Sequence, residues 1–175
     1  TLALRHGFSL TDKTIGIVGA GHVGVKVEHL AGLLGMHVLL NDPPRSRNEG
    51  NAGFVTLEQL LKESDLITLH VPLNRTGLDK TLQMINETTL GSFKPGSILI
   101  NTSRGEVVDG VALKKRLSSG SLDAAVLDVW EHEPVVDLDL LEKVLIATPH
   151  IAGYSTDGKK NGTAQVVEAL ARHFN

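Results

Sequence analysis

No cysteine occurs among the 175 residues, which excludes a disulfide framework, a Cys-ligated zinc or iron–sulfur site, and a thiol nucleophile. Aromatics are scarce, at 4 Phe, 1 Trp and 1 Tyr, and there is no basic block: 17 Lys+Arg stand against 20 Asp+Glu, for a formal net charge of −3. A nucleic-acid groove needs phosphate neutralisation and base stacking, so no nucleic-acid partner is expected. No apolar run approaches the roughly 18 residues that a membrane span requires. The opening segment TLALRHGFSLTDK also lacks the apolar stretch of a signal peptide. The expectation is a cytoplasmic chain with no membrane partner.

What is present is alternation. A chain of this length buries roughly 70% of the surface of its unfolded form and fits one domain. Short apolar runs at Thr14–Gly19, His37–Asn41, Phe54–Val55, Asp65–Val71, Ile98–Asn101, Ala124–Val129 and Val144–Thr148 read as about seven strands, rich enough in Val, Ile and Leu to be covered on both faces. Between them lie helical patterns: one with apolar Val23, Val27, Leu30, Ala31 and Leu34, one over 56–63 capped by Thr56, and one over 109–117. Pro43-Pro44 stops the second strand, because consecutive prolines neither donate to a ladder nor continue a helix. The stretches 41–53 and 74–80 read as surface loops. Ala164, Val167, Leu170, Ala171 and Phe174 predict a closing amphipathic helix. The sum is an α/β, doubly wound parallel sheet in three αβα layers, with a core over about 13–152 and the closing helix over about 155–174.

Between the first strand and its helix stands Gly19-Ala20-Gly21-His22-Val23-Gly24, a G-x-G-x-x-G in a strand–turn–helix context. The first glycine permits the turn, the second lets a pyrophosphate approach, and the third lets helix and strand pack. The helix N-terminus then offers free N–H groups to phosphate. Asp42, 21 residues after Gly21, sits where a carboxylate binds ribose hydroxyls and repels a 2′-phosphate, favouring NAD over NADP. Arg45 and Arg47 complicate that preference, since arginines in this loop can accommodate the extra phosphate. A plain turn carboxylate with two solvated arginines is the competing reading.

Asn101-Thr-Ser-Arg-Gly105, Asp128-Val-Trp-Glu-His-Glu-Pro134 and Thr148-Pro-His-Ile-Ala-Gly-Tyr154 each follow a strand, where open parallel sheets place ligands. A base, a carboxylate and a guanidinium beside a nicotinamide suit hydride transfer between alcohol and ketone. His150 takes or gives the hydroxyl proton, Glu133 holds its imidazole, and Arg104 pairs with a substrate carboxylate and polarises the carbonyl. Taken singly, Arg104 reads as a loop salt bridge, Glu133 as a surface acid and His150 as one of 8 histidines. The Glu131-His132-Glu133 cluster lacks a zinc-binding helical spacing, so no metal is expected.

The glycine fingerprint, the Asn-x-x-Arg-Gly, the Asp-Val-x-x-x-Glu-Pro and the Pro-His segments come in an order that resembles the NAD-binding domain of the D-isomer-specific 2-hydroxyacid dehydrogenases, over nearly the whole chain. The resemblance implies a Rossmann-type fold, NAD as cofactor, and Arg104, Glu133 and His150 as the catalytic set. It places Gly19, Gly21, His22, Val23, Gly24, Asp42, Val71, Thr102, Ser103, Asp128 and Gly153 beside the cofactor. Val71 departs from the family, whose members often carry a polar Thr there. Asp42-Pro-Pro-Arg45 and the segment from His150 to Lys159, with Gly162-Thr163, look most like the branch that oxidises a phosphorylated 2-hydroxy acid, 4-phospho-D-erythronate, on the route to pyridoxal 5′-phosphate. In that branch the counterpart of Tyr154 contacts substrate. Such proteins also carry an N-terminal substrate domain and a C-terminal dimerisation domain, so the chain is expected to be one domain of a longer homodimeric enzyme. The alternatives are a dehydrogenase of the phosphoglycerate or glyoxylate/hydroxypyruvate type, and a non-catalytic NAD-sensing module.

Overall fold

The computed structural model describes residues 9–153 and 155–174. Six strands form one all-parallel sheet: β1 (Thr14–Val18), β2 (His37–Asn41), β3 (Leu66–Leu69), β4 (Ile98–Asn101), β5 (Ala124–Leu127) and β6 (Ile146–Ala147). Their spatial order is β2-β1-β3-β4-β5-β6. The direction of winding therefore reverses between β1 and β3, and a crevice opens there at the carboxyl ends of the strands. The helices are α1 (Gly24–Leu33), α2 (Pro43–Glu49), α3 (Leu57–Glu63), α4 (Glu87–Gly91), α5 (Gly110–Ser118), α6 (Leu138–Leu141) and α7 (Thr156–Phe174).

Alternation along each strand divides the core in two. Val18, Ile67, Leu69, Leu99, Ala125 and Leu127 face one side and pack with Leu60 and Leu61 of α3, Leu90 of α4 and Ala112 and Leu113 of α5. Ile15 and Ile17 face the other side, against Ala31 of α1 and Met36. Each fully buried leucine or isoleucine contributes about 1.5–3 kcal/mol. The result is the expected three-layer doubly wound fold, with helices on both faces.

Besides the short helices α4 and α6, which the sequence reading does not contain, four features differ from it. The strand expected at Phe54–Val55 is absent, because Phe54 makes only an isolated bridge to Leu40 before Thr56 caps α3 through Gln59 N–H at 3.1 Å. The stretch 41–53 is not all loop. Pro43 and Pro44 occupy the first positions of α2, where a missing N–H costs nothing, and the Asp42 carboxylate caps the helix. In α1 the buried stripe is narrower than predicted. Gly24 and Ala31 are buried and Val27 is partly so, whereas Val23, Leu30 and Leu34 are more than half exposed. A β-carbon on Gly24 would overlap the carbonyl of Gly19, so close approach to β1 selects the small residues for the contact face. Finally, α7 forms where expected but buries none of its described residues. It projects its apolar positions outward and does not close the domain. Among the described residues no helix is long and apolar enough to cross a membrane.

Candidate active site

The crevice at the reversal of the sheet is a cavity of about 440 Å³, within the usual range for cofactor sites. The ends of β1, β2 and β3 supply its walls through Val18, Gly19 and Gly21, Asn41 and Asp42, and His70 and Val71. Gly19 has φ +92°, and a β-carbon there would stand 2.5 Å from the His70 carbonyl; both the turn and the approach to β3 require glycine. Gly21 has nothing within 4 Å of where a β-carbon would be, so the loop is open on the side from which a pyrophosphate comes. No side chain caps the first turn of α1, and His22 and Val23 are exposed beside it. The N-terminus of a helix, left bare next to an open glycine turn, fits a dinucleotide phosphate.

Asp42 is more heavily engaged than a lone ribose acceptor. One carboxylate oxygen accepts Ala20 N–H at 2.8 Å and the other accepts Arg45 N–H at 3.0 Å, so the residue that would read the ribose also sets the shape of the glycine loop. His70 was not singled out by the sequence. Its ring bonds Thr68 Oγ1 at 3.0 Å, and burial holds its pKa below the ordinary value, leaving a neutral imidazole on the cavity wall. Leu57, Pro72, Leu78 and Met84 also line the cavity and were missed. The signal that finds them is topological, because they follow from β3 lying at the switch point.

The second group of residues sits at the ends of β4, β5 and β6. Glu133 Oε2 and His150 Nδ1 are 2.7 Å apart. Burial works against the Glu133 charge, but the bonds from His150 and from Trp130 N–H outweigh it and hold the carboxyl below its usual range. An ionised carboxylate only accepts, so in the neutral imidazole the proton sits on Nδ1 and the lone pair on Nε2. Trp130 joins the loops, its backbone N–H donating to Glu133 Oε1 at 2.9 Å and its indole N–H to the Thr148 carbonyl at 3.0 Å. Gly105 presses on the peptide between Trp130 and Glu131, where any β-carbon would overlap the backbone. That contact sets the Arg104 loop against the Glu133 loop. Arg104 is exposed and donates to the Ser103 carbonyl at 2.6 Å, while Asn101 braces the turn by donating to the Arg104 carbonyl at 2.9 Å and accepting the Ser103 hydroxyl at 2.9 Å. Thr102 is half-buried in the same turn.

Asp128 is buried, at 2% exposure, and turns to the histidine loop. It accepts the Thr148 hydroxyl at 2.5 Å, Ile151 N–H at 2.8 Å and Ala152 N–H at 2.9 Å. His150 itself has φ +55°, a strained conformation for its residue type that persists only when its surroundings fix it; the bond from its N–H to the Asp128 carbonyl, 2.7 Å, does so. Gly153, with φ +81°, ends this loop, and Tyr154 lies outside the described residues. Glu131 is occupied by Gln83 at 3.0 Å and Gly110 N–H at 3.0 Å, and no group of metal-binding side chains exists among the described residues.

Burial opposes the Asp128 charge as well, yet its three donors and the nearby His150 keep its pKa lowered. A carboxyl whose folded pKa is depressed stabilises the fold above its unfolded value, about 3.9, and that stability is lost as pH falls through the folded value. The free energy of urea unfolding should therefore fall steeply below about pH 4. Asp128→Asn should be less stable at neutral pH and show a shallower slope in that window; an unchanged slope would remove Asp128 from this role.

Residues 3–152 match the family described as D-isomer specific 2-hydroxyacid dehydrogenase, NAD binding domain. An erythronate-4-phosphate dehydrogenase of Bacteroides fragilis is 51% identical over 173 residues, covering 99% of this chain and 50% of that protein. The corresponding protein of Proteus mirabilis is 52% identical over 167 residues, covering 95% of this chain and 44% of its own length. The chain thus spans about half the length of the curated relatives it matches. Among solved structures, D-lactate dehydrogenase of Aquifex aeolicus, complexed with NAD and lactic acid, aligns with a TM-score of 0.75 at 34% identity, over 92% of this chain and 54% of that one.

Proposed function

Given that the chain belongs to the D-isomer specific 2-hydroxyacid dehydrogenases and is their NAD-binding domain, we propose that it serves an enzyme oxidising 4-phospho-D-erythronate to its 2-oxo acid phosphate. The observation that carries the chemistry is the 2.7 Å Glu133–His150 pair, standing at the carboxyl ends of β5 and β6, on the same edge of the parallel sheet as the strand ends that build the nucleotide cavity. NAD, when bound, supplies the acceptor for the hydride. The glycine loop and the bare end of α1 hold the pyrophosphate, and Asp42 takes the ribose hydroxyls. Nε2 of His150 accepts the proton of the substrate hydroxyl. Glu133 stabilises the imidazolium that results, and in the reverse direction the proton returns to the alkoxide. Arg104 pairs its guanidinium with the substrate carboxylate and favours the carbonyl polarity of the oxo acid. The family resemblance assigns Tyr154 to the substrate.

The phosphorylated substrate rests on the similarity to the erythronate-4-phosphate dehydrogenases. In this reading the rest of the protein brings the substrate phosphate site and the dimer contact, and the assembled enzyme works as a homodimer in the cytoplasm. Calorimetric titration of the present chain with NAD, NADH and NADP tests the cofactor half. Binding of NAD(H) in preference to NADP is expected, and no dinucleotide binding would overturn it. The full-length protein, assayed with 4-phospho-D-erythronate against 3-phosphoglycerate and glycolate, tests the substrate. A higher kcat/KM on either competitor would reassign the enzyme within the family.

A further inference from the structure

Resting on the assignment of the cavity to a dinucleotide, we propose that Glu49 and Asp79 determine the preference for NAD by holding Arg45 and Arg47 away from the ribose 2′ position. An arginine shortly after the second strand is the usual partner of a 2′-phosphate, and this chain has two there, both in α2. Both are already paired with carboxylates. Arg45 Nε and Nη2 form a fork with both oxygens of Glu49, at 2.8 and 2.6 Å. Its Nη1 donates to the Ala20 carbonyl at 2.6 Å, and its guanidinium lies 5.4 Å from the centre of the Phe54 ring. Three of its five donors are thus committed, in a direction fixed by the glycine loop.

Arg47 lines the cavity but reaches across it to Asp79, 2.5 Å away. The loop bearing Asp79 is tied to itself. The Thr81 hydroxyl donates to the Pro72 carbonyl at 2.6 Å and accepts Asn74 N–H at 2.8 Å, and the Asn74 side chain donates to the Asp79 carbonyl at 3.0 Å. Asp79 is therefore presented from a braced loop, and the Arg47 pair spans the adenosine end of the cavity from α2 to that loop. Lys80 also lines the cavity.

A 2′-phosphate arriving here meets Asp42 and two arginines already paired with carboxylates. Each such pair must exchange one carboxylate for the phosphate, which leaves a carboxylate next to a dianion. An exposed pair is weak in isolation; the obstacle is the remaining negative charge, which no rotation of the arginine removes. Substituting the two acids by their amides removes two negative charges from the rim and leaves both guanidinium groups without a carboxylate partner, without altering side-chain length. A charge-assisted guanidinium–phosphate pair is then expected to raise NADP affinity by roughly ten-fold or more, while NAD, lacking that phosphate, gains little.

The test is calorimetric titration of the chain and of E49Q, D79N and E49Q/D79N with NAD and NADP at fixed ionic strength, with R47A/D79N as the control. The expected result is a ratio of NADP to NAD affinity that rises with each substitution, and a D79N gain that disappears when Arg47 is removed. An unchanged ratio in the double variant, with NAD still bound, would overturn the proposal. So would a D79N gain that survives R47A, since it would reflect diffuse charge and not a released arginine. D79N leaves the Arg45–Ala20 contact intact, so it decides the matter if the double variant loses the glycine loop. Absence of NAD binding to the parent chain is a different failure, of the cofactor assignment itself.

Discussion

His150→Ala in the full-length protein should lower turnover by roughly 10²–10⁴-fold, the range for losing a positioned general base, with NAD affinity unchanged. The imidazole is placed by two independent devices: the Glu133 carboxylate on Nδ1 and the left-handed backbone of His150 pinned to Asp128. The effect should therefore fall on kcat and not on cofactor binding, because His150 is not among the residues lining the nucleotide cavity. His150→Asn is the informative companion, since asparagine tolerates positive φ and keeps the loop conformation while removing the base. Equal losses in the two variants would locate the defect in proton transfer. A much milder loss with Asn would locate it in the backbone. Turnover preserved in both would end the acid–base assignment. Glu133→Gln should retain the geometry but lose the stabilisation of the imidazolium, and its signature is a shifted pH profile of kcat/KM.

The second large effect is expected at Gly105, a position with no functional group at all. A methyl there would overlap the Trp130–Glu131 peptide, and backbone cannot move aside as a side-chain tip can. Gly105→Ala should cost about 3 kcal/mol or more, lowering Tm by roughly 10 °C in a chain of this size. Because relief comes by parting the Arg104 and Glu133 loops, the full-length variant should also lose activity when assayed well below its new Tm. A Tm and a kcat/KM both within error of the parent would mean that the two loops are not in the contact described.

Much of this was legible beforehand. The strand positions followed from Val/Ile/Leu runs, and the glycine fingerprint and the Pro-His segment are local in sequence, so the cofactor end and the three catalytic candidates could be named by number. What escaped depends on neighbours far along the chain. Pro43-Pro44 reads as a stop until Asp42 is known to cap a helix, and a proline is as compatible with a first turn as with a loop. The apolar residues of α1 read as a broad stripe, but the approach of Gly24 to Gly19 rotates the small ones inward. Phe54-Val55 has the composition of a strand and only one residue in register. His70 became visible as a cavity wall only once β3 was placed beside β1. The bonds by which the Asp128 carboxylate braces the histidine loop are likewise set by a neighbour some twenty residues away, and no pattern of residue types encodes them.

Trp130 is the sole tryptophan of the sequence, and it is 6% exposed at the point where the Glu133 and Thr148 segments meet. Its emission is therefore an optical reading of the loops that carry Glu133 and His150, without any label. A buried indole bonded to a carbonyl emits at shorter wavelength than a solvated one, and a shift to the red marks the entry of water between those loops. Reduced nicotinamide absorbs where indole emits, so quenching of this one fluorophore by NADH measures how near the nicotinamide ring settles to the Glu133–His150 pair.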